Sequence, residues 1–159
     1  MGSRSKIDLA YIAGFLDGDG SLMLQVKKRK DGKLKKRFMC TICFYQDARH
    51  SEPFKWIRKI LGIGYISRRN DGIAELRING FKRTRDIMKN LMPFIRFKKK
   101  QAVALFQAAN LLSRKKHNRL TDIELRRMAE YIVAIQKDNY ATRSKKTLKE
   151  LNSILGLTP

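Results

Sequence analysis

The sequence predicts an α+β domain: a four-stranded antiparallel sheet, helices over one of its faces, and further helices at the C-terminal end. Three observations lead there. Two pairs of segments alternate apolar and polar residues at the period of a half-buried strand, each pair joined by a glycine-containing turn. Apolar stripes at helical spacing precede, separate and follow those pairs. The 159 residues are 43% hydrophobic, ordinary for a globular chain and enough for one domain with a real core. Residues 1–6 read as a flexible N-terminus and residues 7–159 as that single domain.

Residues 7–17 read as the first helix, with small Ala10, Ala13 and Gly14 beside large Ile12, Phe15 and Leu16. Gly18-Asp19-Gly20 stops it, with glycines free to take unusual backbone angles. In the first strand Leu22, Leu24 and Val26 face one way, and Met23, Gln25 and Lys27 the other. Asp31-Gly32 turns the chain into a second long strand. There Phe38, Cys40, Ile42 and Phe44 point inward, and Arg37, Met39, Thr41, Cys43 and Tyr45 outward. Ser51-Glu52-Pro53 opens a short helix, with Ser51 as its cap and Pro in the first turn. Its apolar face is Phe54, Ile57 and Leu61, and Gly62 ends it.

A second hairpin pairs residues 64–69 with 73–79 about Asn70-Asp71-Gly72. Ala74, Leu76 and Ile78 alternate with Ile73, Glu75 and Arg77. A helix over residues 82–92 carries Ile87, Met88 and Leu91, and Pro93 stops it. Three later stripes are helical: Ala102, Leu105, Phe106, Ala109 and Leu112; then Leu125, Met128, Ile132 and Ile135; then Leu148, Leu151 and Leu155, closed by Gly156. The order is therefore α-β-β-α-β-β-α followed by helices, which covers one face of the sheet and leaves the other wet.

Lysine and arginine number 36 and aspartate and glutamate 14, a net charge of +22. Such a balance favours a polyanion, either nucleic acid or an anionic membrane surface. No apolar run approaches the ~18 residues of a membrane span, the first residues lack a signal-peptide core, and two cysteines make no disulfide framework. An intracellular location is the expectation. The open sheet face carries Gln25, Lys27, Arg29, Arg37, Thr41, Ser67, Arg69, Glu75 and Arg77. An antiparallel ribbon fits a DNA major groove, where Arg pairs with guanine and Gln with adenine. The plain alternative is a solvated face kept soluble by its charges. Met39 and Cys43 face the same way and could meet thymine methyls.

In a chain short of acids, Asp17-Gly18-Asp19-Gly20 places two carboxylates at a helix C-terminus, where the dipole disfavours them. A hard divalent cation such as Mg²⁺ would offset that cost; local hydrogen bonding in a helix-to-strand turn would do so as well. Spacing does not separate the two.

The stretch Ile12-Ala13-Gly14-Phe15-Leu16-Asp17-Gly18-Asp19-Gly20 resembles the signature of the LAGLIDADG homing endonucleases, matching at Ala13, Gly14, Asp17, Asp19 and Gly20. The element order, the basic hairpins, Gly62-Ile63-Gly64-Tyr65 and Pro93-Phe94-Ile95-Arg96-Phe97-Lys98 are similar to the single-motif, homodimeric branch, over roughly residues 7–155. The resemblance implies a metal-dependent, site-specific double-strand break at a long, near-palindromic DNA site, made across the minor groove with short 3′ overhangs. It also implies a gene carried in a mobile intron. Asp19 would bind metal beside the scissile phosphate, with the Gly18 carbonyl as second ligand. Ala13 and Gly14 would let two copies' helices approach closely, with Asp17 at that interface. Gln46 would hold water near the metal, and Lys98 would stabilise charge at the phosphate. His50 stands where relatives carry a basic residue such as Arg, so a contact to that network and an ordinary helix-entry role both stay open. Lys145 and Lys146 would contact phosphates. The same scaffold also serves as an RNA maturase in intron splicing, which is the alternative activity. Cys40 and Cys43, three apart on a strand, point to opposite faces and do not make a zinc site with His50 and His117.

Overall fold

The computed structural model describes residues 4–30, 36–116, 119–139 and 143–158. Helix α1 (Lys6–Asp19) leads into β1 (Gly20–Lys28), which pairs antiparallel with β2 (Lys36–Asp47). A 3₁₀ turn (Ala48–His50) precedes α2 (Pro53–Leu61), and the hairpin β3 (Tyr65–Arg68) and β4 (Ile73–Asn79) follows. Then come α3 (Phe81–Leu91), a 3₁₀ turn (Met92–Phe94), α4 (Lys99–Arg114), α5 (Asp122–Lys137) and α6 (Leu148–Ile154). The four strands form one antiparallel sheet, as expected, and their order is β1-β2-β4-β3. The Asp31-Gly32 turn lies outside the described residues, as do Lys33, Lys35 and His117.

Period two decides which strand residues are buried. Leu22 pairs with Ile42 and Ile42 with Ile78, and all three are fully covered on the inner face beside Phe44 and Leu76. Helix α1 lays Leu9, Ile12, Ala13 and Leu16 on that layer. Phe15 stacks on Phe44 at 6.1 Å between ring centres and meets Phe54 of α2 edge-on. Helices α3, α4 and α5 complete the cover through Ile87, Met88, Leu105, Ala109, Met128 and Ile132. Among the described residues no helix is long and apolar enough to cross a membrane.

Several local expectations change. Helix α1 runs from residue 6 to 19 rather than 7 to 17, so Asp19 belongs to its last turn. Gly20 is extended (φ −125°, ψ 170°) and needs no left-handed freedom; what it supplies is room, because a Cβ there would sit 2.7 Å from the Leu16 carbonyl oxygen. Residues 4–6 are anchored rather than loose: Arg4 donates to the Leu61 carbonyl at 3.0 Å, and the Ser5 hydroxyl accepts from the Asp8 N–H. Ser51 does not cap α2, since its hydroxyl donates to the Ala48 carbonyl, leaving Glu52 at the cap position. Pro93 sits within the 3₁₀ turn after α3. Leu148, expected in the last apolar stripe, opens α6 and is exposed, while Leu151 is buried. The Thr147 side chain accepts from the Glu150 N–H, completing a capping box.

Candidate functional site

The end of α1 and the start of β1 form one wall of an open cleft. Asp17, Gly18, Asp19, Gly20 and Ser21 line it together with Tyr45 of β2 and Arg96, Phe97 and Lys98, the residues leading into α4. The two acids behave differently. The Asp19 carboxylate is exposed at the helix terminus. Asp17 is buried and fully engaged: its Oδ2 accepts from the N–H groups of Arg96 (2.6 Å) and Phe97 (3.3 Å), and its Oδ1 from that of Lys98 (3.0 Å). Lys98 returns the contact, its Nζ donating to the Asp17 main-chain oxygen. Burial holds the Lys98 ammonium below the usual lysine value, and the charges of Asp17 and Asp19 oppose that shift.

Asp19 and Lys98 therefore share a cleft. Gln46 does not line it. It lies within β2 on the inward-pointing register, opposite Ala74, and its Oε1 accepts from the Asp47 N–H at 2.9 Å. It is half-buried near the end of that strand. His50 is exposed at the end of the 3₁₀ turn. That turn is capped by Asp47, whose carboxyl is held well below the usual range by Arg49.

The expected interface residues also separate. Ala13 is fully buried in its own protomer, because it falls on the stripe of Leu9, Ile12 and Leu16. Asp17 serves the 96–98 segment instead. Gly14 alone is exposed, on a stripe with Ile7, Tyr11 and Gly18. Ile7 is 82% and Tyr11 65% exposed, and a Cβ on Gly14 or Gly18 would meet nothing within 4 Å. Phe97, 90% exposed, adds a further apolar group at the cleft.

The outer sheet face keeps most of the predicted polar set. Gln25, Lys27 and Arg37 are exposed, with Lys27 opposite Arg37 and Gln25 opposite the half-covered Met39. Arg29 is exposed just beyond the end of β1. Thr41 and Cys43 are corrected: both are fully buried. They are short side chains on a central strand, flanked by Met23 and Asn79 and by Ser21 and Arg77 respectively, and Thr41 donates to Asn79 at 2.7 Å. Glu75 is also buried, accepting from Arg69 (3.2 Å) and Arg77 (3.0 Å), with Arg69 tied to Asp71 as well. Ser67 pairs with Glu75 in register and is half-covered. Lys145 and Lys146 are exposed, held to the end of α5 by bonds to the Lys137 carbonyl and the Gln136 side chain.

Sequence reasoning passed over Tyr65, 70% exposed in the row of Arg77 and Cys43, and the Ser21–Tyr45 hydroxyl pair at 3.0 Å beside Asp19. Both follow from cross-strand register, which a single strand's alternation does not supply. Cys40 and Cys43 are free, buried thiols. Among the described residues no three His, Cys, Asp or Glu side chains converge.

Comparison with known proteins fits this arrangement. The LAGLIDADG endonuclease family pattern matches residues 12–109, more than half of the chain. DNA endonuclease I-CvuI from Chlorella vulgaris is 30% identical over 104 residues, 65% of this chain and 65% of that protein. The match thus spans just under two thirds of I-CvuI. DNA endonuclease I-CreI from Chlamydomonas reinhardtii is 25% identical over 146 residues, covering 92% of this chain and 86% of that one. The crystal structure of I-CvuI in complex with its target in the presence of Ca superposes with a TM-score of 0.82, covering 97% and 98% of the two chains at 24% identity. The chain belongs to the LAGLIDADG endonuclease family.

Proposed function

We propose that the protein is a site-specific DNA endonuclease that binds a long, near-palindromic duplex as a homodimer and hydrolyses both strands with a divalent metal, Mg²⁺ being the best fit. The observation that carries this reading is the shared cleft of Asp19 and Lys98 beside a basic, open sheet face. An exposed carboxylate beside DNA phosphates is repelled unless a cation lies between them, and a metal-dependent nuclease supplies that cation.

The donors suit a hard cation: the free Asp19 carboxylate and the neighbouring Gly18 carbonyl, both oxygens. One protomer offers too few ligands for the roughly six positions of Mg²⁺. Phosphate oxygens and water would supply the remaining positions. When bound, such an ion stabilises the attacking and leaving oxygens of an in-line displacement at phosphorus. Lys98 neutralises charge building on the phosphate from within the cleft. Gln25, Lys27, Arg29, Arg37, Arg69 and Arg77 meet the duplex, with Lys145 and Lys146 on the backbone; contacts to phosphate give register, and those to base edges give sequence. Met39 and Ser67, half-covered on the same face, remain within reach of the duplex, while the buried Thr41, Cys43 and Glu75 act behind this layer, Glu75 by holding two arginines in place. Gln46 keeps its NH₂ group for the water network while its Oε1 accepts from the Asp47 N–H.

The homodimer is supported by the exposed stripe Ile7, Tyr11, Gly14 and Gly18, an apolar helix face with room at both glycines. A two-fold axis through it brings one Asp19 to each DNA strand and makes the site near-palindromic. The activity requires a compartment where DNA is accessible. Cleavage selection from a randomised duplex library in Mg²⁺ tests the reading. It predicts a cut population with two-fold symmetric sequence, and an uncut library overturns it.

A further inference from the structure

We propose that Asp17 is a positioning residue for Lys98, an inference that rests on the endonuclease reading. Lys98 is held to Asp17 at both ends. Its backbone N–H donates to the Asp17 Oδ1 at 3.0 Å, and its ammonium donates to the Asp17 main-chain oxygen. The other carboxylate oxygen takes the N–H groups of Arg96 and Phe97. One buried acid thus clamps the whole segment that enters α4, across a separation of 79–81 residues in sequence.

A buried carboxylate is costly unless its charge is met by hydrogen bonds. Three backbone donors meet it here, on a segment whose own N-cap position, Lys98, makes no side-chain cap. The clamp also fixes a direction. The Lys98 side chain folds back along the end of α1, toward the turn that carries Asp19, and the two groups line one cleft. Without the carboxylate, the backbone from which Lys98 reaches that main-chain oxygen is no longer fixed, and the side chain regains rotamer freedom. The two acids of the motif thus divide the work: Asp19 faces the cleft, and Asp17 sets the cation that faces it.

The variant Asp17→Asn isolates this role. A carboxamide offers one acceptor oxygen and an NH₂. Keeping the oxygen toward Arg96 and Phe97 retains two bonds and turns a donor against the Lys98 N–H, so the Lys98 end is the one disturbed. The experiment compares wild type, Asp17→Asn, Lys98→Gln and the double variant, each on a duplex recovered by selection. Single-turnover cleavage in Mg²⁺ is measured beside affinity for the same duplex without metal. The expected result is a loss of cleavage of about tenfold or more in Asp17→Asn, with affinity changed by less than about threefold. The double variant should cleave within about threefold of Lys98→Gln alone, because the two act through one group. Wild-type cleavage by Asp17→Asn, or a double loss equal to the product of the single losses, overturns the proposal. Should Asp17→Asn not fold, amide hydrogen exchange of the wild type decides. Protection at Arg96 and Lys98 supports the clamp, and free exchange at both overturns it. A wild type that cuts no duplex overturns the endonuclease reading instead, and the exchange measurement still reads the clamp.

Discussion

Replacing Gly20 by alanine tests how tightly the junction of α1 and β1 is built. The new Cβ would lie 2.5 Å from Leu16 Cδ1, 2.7 Å from the Leu16 carbonyl oxygen and 2.9 Å from Leu16 Cα. Ordinary contacts between such atoms are about 3.5–4.0 Å, so a relief of roughly 1 Å is needed. The leucine methyl can rotate away, but the carbonyl and Cα belong to a helix turn whose side chain is fully buried. Strand β1 must therefore shift against α1. Overpacking of this kind costs about 1–3 kcal/mol. For a chain of this size the melting temperature then falls by about 2–12 °C. Asp19 immediately precedes the shifted residue, and a displacement of about 1 Å at a reacting centre costs on the order of a hundredfold in rate. The assay is a thermal melt beside single-turnover cleavage. A Gly20→Ala protein that melts within about 1 °C of wild type and cuts at the wild-type rate refutes the view that space at Gly20 sets the Asp19 geometry.

Other variants and conditions probe the remaining parts. Gly14→Leu leaves the protomer folded, because nothing lies within 4 Å of the new Cβ, but should convert the dimer to monomer in sedimentation; an intact dimer removes α1 from the interface. Log affinity for the duplex should fall steeply with log salt. Seven cations per protomer (Lys27, Arg29, Arg37, Arg69, Arg77, Lys145 and Lys146) bound the slope for a dimer at about −13, and partial contact still gives about −6; a flat response contradicts phosphate binding. Burial pushes the Cys40 thiol up to about 12 and raises that of Cys43, so both stay protonated at mildly alkaline pH. A thiol reagent should label neither in the native protein and both in denaturant, and rapid native labelling would count against this core.

The strands were legible because one residue in two must be apolar, and Leu22 to Val26 and Phe38 to Phe44 obey that rule without exception. What alternation cannot show is how far a face is covered. Thr41 and Cys43 point outward by period yet are buried on a strand flanked on both sides, Thr41 between Met23 and Asn79 and Cys43 between Ser21 and the longer Arg77. The resemblance assigned Asp19 to the metal, but what Ala13, Gly14 and Asp17 each touch was not legible. Ala13 and Gly14 are adjacent small residues, and only the helical angle sends one into the core and the other to solvent. On spacing alone Asp17 and Asp19 look equivalent, and that Asp17 takes three N–H donors from residues about eighty positions away shows only in the fold. Gln46 continues the inward parity of Phe44, a placement its position in the chain alone does not show.

The central claim is that Asp19 makes this basic protein a nuclease rather than a binder. The most direct test is Asp19→Asn on a duplex that the wild type cuts in Mg²⁺. The carboxamide keeps the shape and the exposed position but loses the charge that holds a hard cation. The account predicts binding close to that of wild type and no cleavage of either strand. Full cutting by Asp19→Asn would contradict it.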